Sequence, residues 1–270
     1  MSAPLPKYDS PPVNETLLGV QFDPLPKLLV AHLGTFLARL GGDWQPVPEV
    51  PAIGQLPPPE LDDWAGPALR LQVSGAPGLR LRAIDRVQDR LLQLENGWFV
   101  LNWHELRAGA RYPDYERRKE QFTELWQAWC EFLQTHALGE MRPRLWEVSY
   151  VNFIDRSSGL WSSVADWHAV LPALLGPMSL PSAGPLQTLE GRWRYALGSD
   201  AHLTIDLQHR ARTASGEDET LLERLVARGF AATPDLEALF RGFDRGHEAI
   251  VRTFGEAASE AARKHWKQRP

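Results

Sequence analysis

Arg90 to Glu105, RLLQLENGWFVLNWHE, constrains the fold more than any other stretch, because apolar runs flank Asn96-Gly97 on both sides. Asn-Gly is the favoured pair for a two-residue type I′ turn, whose central positions both need positive φ. The stretch therefore reads as a β-hairpin. On its second arm Trp98, Val100 and Asn102 point one way while Phe99, Leu101 and Trp103 point the other. Bulk on both faces predicts a central strand, with helices covering one face and a second layer or a binding groove on the other.

Around this hairpin the chain falls into alternating strand and helix signals. Glu15 to Phe22 alternates as a first strand. Pro24 and Pro26 mark a helix start, and apolar residues from Leu25 to Leu40 recur at helical spacing before Gly41-Gly42, which predicts an amphipathic helix over 24–40. Residues 42–67 hold seven prolines and read as a long surface loop. Ala68 to Ser74 and Leu79 to Arg86 then join the hairpin in an antiparallel meander, and a long helix starts near Asp114 and stops before Gly139. In the second half Arg144 to Ile154 is a strand, Val164 to Leu175 a short helix, and Gly191 to Leu197 with His202 to Arg210 a strand pair. Thr220 to Arg228 is compatible with strand or helix. A last helix is capped by Thr233, has Pro234 at its first position and carries its apolar face from Leu236 to Ala261. Residues 1–139 and 140–270 thus share the order strand, helix, meander, long helix. The predicted fold class is α+β, as two similar units, each an antiparallel meander sheet backed by a long helix.

Composition narrows the function classes. Twenty-nine basic against 34 acidic residues leave a net charge of −5, so no global positive field exists to attract a phosphate backbone. Arg80, Arg82, Arg86 and Arg90 alternate along the meander, and read as a solvated sheet face rather than a nucleic-acid surface. Cys130 is the only cysteine, which excludes an internal disulfide and points to a reducing cytoplasm. Residues 1–12 lack an apolar signal core, and no apolar run approaches the roughly 18 residues of a membrane span. Neither GxxxxGK[ST] nor GxGxxG nor HExxH is present, so nucleotide and zincin chemistry have no motif to stand on. Asp200 and His202 share a strand face while His209 takes the other, and no metal or cofactor is expected.

The polar residues that remain are the candidate site: Asn102, Trp103, Tyr112, Tyr115, Tyr150, Asn152 and His247. Asn102 and Asn152 are amides inside apolar strands, where an unpaired amide costs roughly 1–3 kcal/mol, so each needs a definite partner. That partner is a ligand, or else the amides pair with backbone at a bulge or across the halves. His247 stands on the apolar face of the last helix beside Asp244 and Glu248. It is either a satisfied core histidine or an oriented imidazole lining a pocket. His32 poses the same choice on the first helix. Cys130 reads as a buried, inert thiol.

Several short pieces, Pro11-Pro12-Val13, Gln21-Phe22, Asn102-Trp103, Tyr112-Pro113 with Tyr115-Glu116, Tyr150-Val151-Asn152, and late His247, Phe254 and Trp266, together resemble a sporadically distributed family of bacterial hypothetical proteins of about this length. The resemblance implies a bacterial cytoplasmic protein of a single architecture and supplies no reaction. The residues themselves favour a non-catalytic interaction or ligand-binding protein, an accessory or regulatory partner of a neighbouring gene product, with a protein or a small molecule as its partner. A small-molecule enzyme using His247 as general acid or base is the alternative, and a nucleic-acid-binding module the third reading.

Overall fold

The computed structural model describes residues 4–54, 78–105, 112–211, 219–231, 233 and 235–269. In chain order its elements are β1 (Val13–Phe22), α1 (Val30–Leu40), β2 (Trp44–Pro51), β3 (Leu79–Asp85), β4 (Arg90–Glu95), β5 (Trp98–His104), α2 (Tyr115–Thr135) and β6 (Pro143–Asp155). Two short 3-10 turns and α3 (Trp167–Val170) follow, then β7 (Glu190–Ala196), β8 (Ala201–Ala211), β9 (Glu219–Phe230), α4 (Leu236–Ala257) and α5 (Glu260–His265).

The nine strands among the described residues belong to one sheet, in the order β2-β3-β4-β5-β1-β6-β9-β8-β7, and every neighbouring pair is antiparallel. This overturns the expectation of two units with separate meander sheets. Where a seam was expected, β1 and β6 pair from Val13↔Asn152 to Phe22↔Pro143. The physical reason is that alternation in β1 specifies its buried face but leaves both hydrogen-bonding edges open. β5 fills one edge and β6 the other. The helices are not private to two halves either. Phe122 of α2 packs edge-on against Phe243 of α4 at 5.1 Å, and Trp129 and Phe132 of α2 meet Phe36 of α1 at 4.9 and 5.4 Å.

The hairpin forms, with Glu95 opposite Trp98, but its turn is not type I′. Only Gly97 has positive φ, at 119°. Asn96 instead commits its side chain to the chain after β1: Oδ1 accepts from Leu25 N (2.8 Å), and Nδ2 donates to Leu25 O (2.9 Å) and Leu28 O (3.1 Å). That clamp holds 25–28 as a turn and delays α1 to Val30 rather than Pro24. His32, no core residue, accepts from Leu29 N at the helix start (3.0 Å). β2 also corrects the expected loop over 42–67. Its prolines, Pro46, Pro48 and Pro51, fit because β2 is an edge strand, where a missing N–H facing outward removes no ladder bond. The rest of that stretch beyond residue 54, the Ala68–Ser74 strand and Pro234 lie outside the described residues. Residues 219–230 are strand. The last helix is two: α4 ends at Ala257, and Ser259 caps α5 by accepting from Ala262 N (3.2 Å).

One contact sets how the helical layer sits. Trp146 of β6 is 1% exposed, and its indole N–H donates to Phe230 O (3.0 Å). The ring lies in a notch made by three glycines, Gly229 of β9 and Gly242 and Gly246 of α4. A Cβ on Gly246 would stand 2.8 Å from Trp146 Cζ3, and one on Gly242 would overlap the pyrrole edge. Gly242→Ala should therefore destabilise the protein by about 1–2 kcal/mol, because overpacking outweighs alanine's helix propensity of about 1 kcal/mol. Urea unfolding checks this, and combining Gly242→Ala with Trp146→Phe should recover part of the loss. A neutral or stabilising Gly242→Ala would show that the notch is loose.

Candidate functional site

β1 and β6 bring their even-numbered residues to the helix-covered face, so Trp146, Val148 and Tyr150 line up beside Val20, Leu18 and Thr16. Four residues beyond the tryptophan, Tyr150 meets α4 at His247, the residue after Gly246 of the notch. There its hydroxyl lies 2.9 Å from His247 Nδ1. Tyr112, just before α2, closes the other side, its hydroxyl 2.8 Å from that of Tyr150. Tyr115, in the first turn of α2, stacks on the His247 ring with centroids 3.9 Å apart and planes 5° apart. Its hydroxyl donates to Asp244 Oδ1 (2.7 Å), which also accepts from Lys119 (2.8 Å). Asp114 is the N-cap that places both tyrosines, accepting from Arg117 N at 2.9 Å.

These groups border a cleft of about 1320 Å³ between α4, the start of α2, β6 and residues 5–13. The N-terminal segment is tied down by the chain's other end: Asp9 N and Ser10 N donate to Lys267 O and Trp266 O (3.2 Å each), and Arg269 N donates to Lys7 O (2.8 Å). Tyr8 packs edge-on against Phe254, 5.4 Å between centroids. Tyr8, Tyr112, Tyr115 and Tyr150, four of the chain's five tyrosines, line the cleft. Six carboxylates, Asp9, Glu105, Asp114, Glu116, Asp244 and Glu248, line it against Lys7, Arg117 and Arg269.

Five of the seven residues singled out from sequence, Tyr112, Tyr115, Tyr150, Asn152 and His247, are thus brought together in one cleft. Trp103 stands behind it, 2% exposed and edge-on to Tyr112 at 5.3 Å. Asn102 is elsewhere. It pairs with Leu17 of β1 on the opposite face of the sheet, accepts from Gln93 Nε2 (2.8 Å) and donates to the Glu15 carboxylate. Its partners are protein side chains, neither a ligand nor backbone at a bulge. The arginine stripe is divided in the same way, Arg82 donating to Pro48 O (2.7 Å) and Arg90 forming a buried ion pair with Asp85 (2.5 Å). No group of three or more His, Cys, Asp or Glu side chains is placed to hold a metal among the described residues. No helix is long and apolar enough to cross a membrane among them.

Comparison of the chain with protein-family models, curated proteins and solved structures finds no match. What the cleft does has to be read from its own chemistry.

Burial holds His247 down to about 4, partly opposed by Asp244, so its ring is neutral at pH 7. Burial likewise pushes Tyr112 up to about 12 and Tyr150 and Tyr115 well above the ordinary tyrosine range. Three neutral groups, Tyr112, Tyr150 and His247, therefore form a chain of hydrogen bonds that can run in either sense. Arg118 lies buried near its inner end, 2% exposed, donating to Gln121 Oε1 (2.8 Å) and Leu101 O (3.3 Å) and paired with no carboxylate among the described residues. Burial lowers it to about 10, still charged at neutral pH.

Two groups here escaped the sequence reading. Tyr8 lies in residues 1–12, a stretch with no periodic signal to place it. Glu223 was missed although it shares a strand face with Leu221, Leu225 and Ala227, which is the signal that exposes it. It is fully buried and accepts from Asn152 Nδ2 (2.9 Å). With the amide nitrogen so engaged, Asn152 Oδ1 has no hydrogen-bond partner among the described residues, and neither do Glu223 Oε1 and the Tyr8 hydroxyl.

Burial raises the Glu223 carboxyl to about 7. Because the folded value exceeds the unfolded one, its contribution to stability is fully present below about pH 4.5 and is lost as pH rises through 7. His247 works the opposite way, its contribution being present above pH 6.5 and lost as pH falls through about 4. The two slopes oppose each other between those limits. Removing one should expose the other: Glu223→Gln should gain about 3 kcal/mol on the natural protein between pH 4.5 and pH 8. Urea unfolding at the two pH values measures it, and an unchanged difference would mean that Glu223 is ionised in the fold throughout.

Proposed function

We propose that the protein is a binding protein whose ligand occupies the tyrosine-lined cleft. The observation that carries this reading is the Asn152 carbonyl oxygen, buried, bordering the cleft and without a protein partner among the described residues. An unsatisfied buried carbonyl costs roughly 1–3 kcal/mol, which a ligand donor recovers on binding. The volume of about 1320 Å³ admits a small molecule or a few residues of peptide. Tyrosine supplies broad, rigid contact area and a hydroxyl at low entropic cost.

A second reading, chemistry on a small molecule, draws on the position of His247 beside the cleft instead of in a dry core. Its hydrogen bond with Tyr150 is the orientation a general base needs. The acidities favour binding over proton transfer. A base held near 4 and phenols near 12 or above leave no matched pair around pH 7.

Native mass spectrometry of gently purified protein, compared with the denatured mass, tests the binding reading. A small non-covalent adduct that disappears on denaturation is expected. It should be retained in Asn102→Ala, whose amide faces the other side of the sheet, and lost in Asn152→Leu and Tyr150→Phe. An adduct indifferent to Asn152 and Tyr150 would place the ligand elsewhere and end the proposal.

A further inference from the structure

Resting on that binding reading, we infer that the ligand presents an organic cation, a primary ammonium or a guanidinium, to the floor of the cleft. The donor and acceptor inventory of the inner wall carries this. Asn152 has two ends, and Glu223 takes the N–H end at 2.9 Å, so the amide faces outward as a carbonyl. Glu223 keeps a second carboxyl oxygen without a partner among the described residues, and Tyr8 keeps a hydroxyl oxygen. Of the cleft lining, Asn152 Oδ1 is thus an acceptor without a partner and the Tyr8 hydroxyl a group of either sense without one, among the described residues. Every buried side-chain N–H left without a partner among the described residues, Arg118 Nε and Trp129 Nε1 included, belongs to a residue outside that lining. A ligand that completes Asn152 has to bring a hydrogen, and the Tyr8 hydroxyl accepts another.

Charge and ring chemistry agree with that polarity. Six carboxylates border the cleft against three basic side chains, and Lys119 and Arg252 beside it pair with Glu116, Asp244 and Glu248, so the carboxylates still exceed these bases by one, and a concave site of one sign concentrates ions of the other. Tyrosine faces attract cations, and the protein already uses one in this way: Lys119 Nζ stands 5.3 Å from the centre of the Tyr115 ring at the cleft's edge. A carboxylate or phosphate ligand would meet acceptors facing acceptors at the floor and an excess of negative charge at the rim.

The test titrates the full-length protein with putrescine and agmatine, and with butyrate and 1-butanol as anionic and neutral comparators, by calorimetry at low and at physiological salt. Both cations should bind, and added salt should weaken them several-fold. Glu248 is exposed at the rim on α4, so Glu248→Lys tests charge without disturbing the core. It should weaken both cations at least several-fold, while Asn152→Leu should abolish binding. Butyrate or 1-butanol binding as tightly as the cations, or cation binding unmoved by Glu248→Lys, would overturn the inference and leave the binding reading standing. No cation binding at millimolar concentration would overturn it too, and the native adduct then decides separately whether the cleft holds another kind of molecule.

Discussion

The seat of α4 on Trp146 is the constraint on which the rest depends. A sheet and a helix pack closely only where small residues let one backbone approach a large side chain of the other, and Gly242 and Gly246 do this over an indole that Gly229 accommodates from the neighbouring strand. Fixing those glycines over Trp146 fixes the register of the helix along β6. Tyr150 is the second residue on the same face beyond the tryptophan, and His247 is the next residue after the notch. Their hydrogen bond follows from the packing, as does the stacking of Tyr115 on His247 from the α2–α4 contact through Phe122 and Phe243. The site is thus an outcome of core geometry and not a feature mounted on loops.

Burial then sets the chemistry. Desolvation disfavours charge, so it keeps His247 unprotonated and the phenols protonated, and it drives Glu223 toward its neutral form. The same effect acts on Arg118 and fails to neutralise it, because guanidinium starts so far above neutrality. The result is a wall of neutral hydrogen-bonding groups with the Arg118 guanidinium charged behind it. Such a wall recognises by the direction of its donors and acceptors, and the direction at Asn152 is set by a carboxyl oxygen that faces its amide nitrogen.

Much of this was legible in the residues, and what was not has definite causes. Hairpin, first strand and both long helices follow from turn chemistry and periodicity, and Asp114 announces its helix as an N-cap. Asn96 deceived, because a residue type suited to positive φ was serving as a three-point clamp on Leu25 and Leu28. That clamp also explains the late start of α1. β2 was hidden by its prolines, which forbid a central strand but permit an edge, and which strand lies at an edge is a property of the sheet. The same limit concealed the single sheet: alternation states which side of β1 is buried and is silent on which strands flank it. Of the site, the tyrosines and His247 stood out as polar groups in apolar company. Asn102 stood out for the same reason and is spent on Gln93 and Glu15, since periodicity places an amide on a face without naming its partner.

The two ends of the chain give the cleft its outer wall. Backbone bonds join residues 7–10 to 266–269, and Tyr8, Phe254 and Trp266 pack together beneath them. This strand-like strap is short, and its N-terminal half carries few buried apolar groups compared with the sheet it covers. Its hold comes from the Tyr8 ring and from those backbone bonds, since the Arg269–Asp9 ion pair is about half exposed and contributes little in water. The Tyr8 hydroxyl on this strap and the Asn152 carbonyl on the sheet are both buried without a partner among the described residues, so strap and β6 meet at the cleft across unmatched polar atoms while backbone bonds such as Phe153 N to Pro12 O (2.9 Å) hold them together.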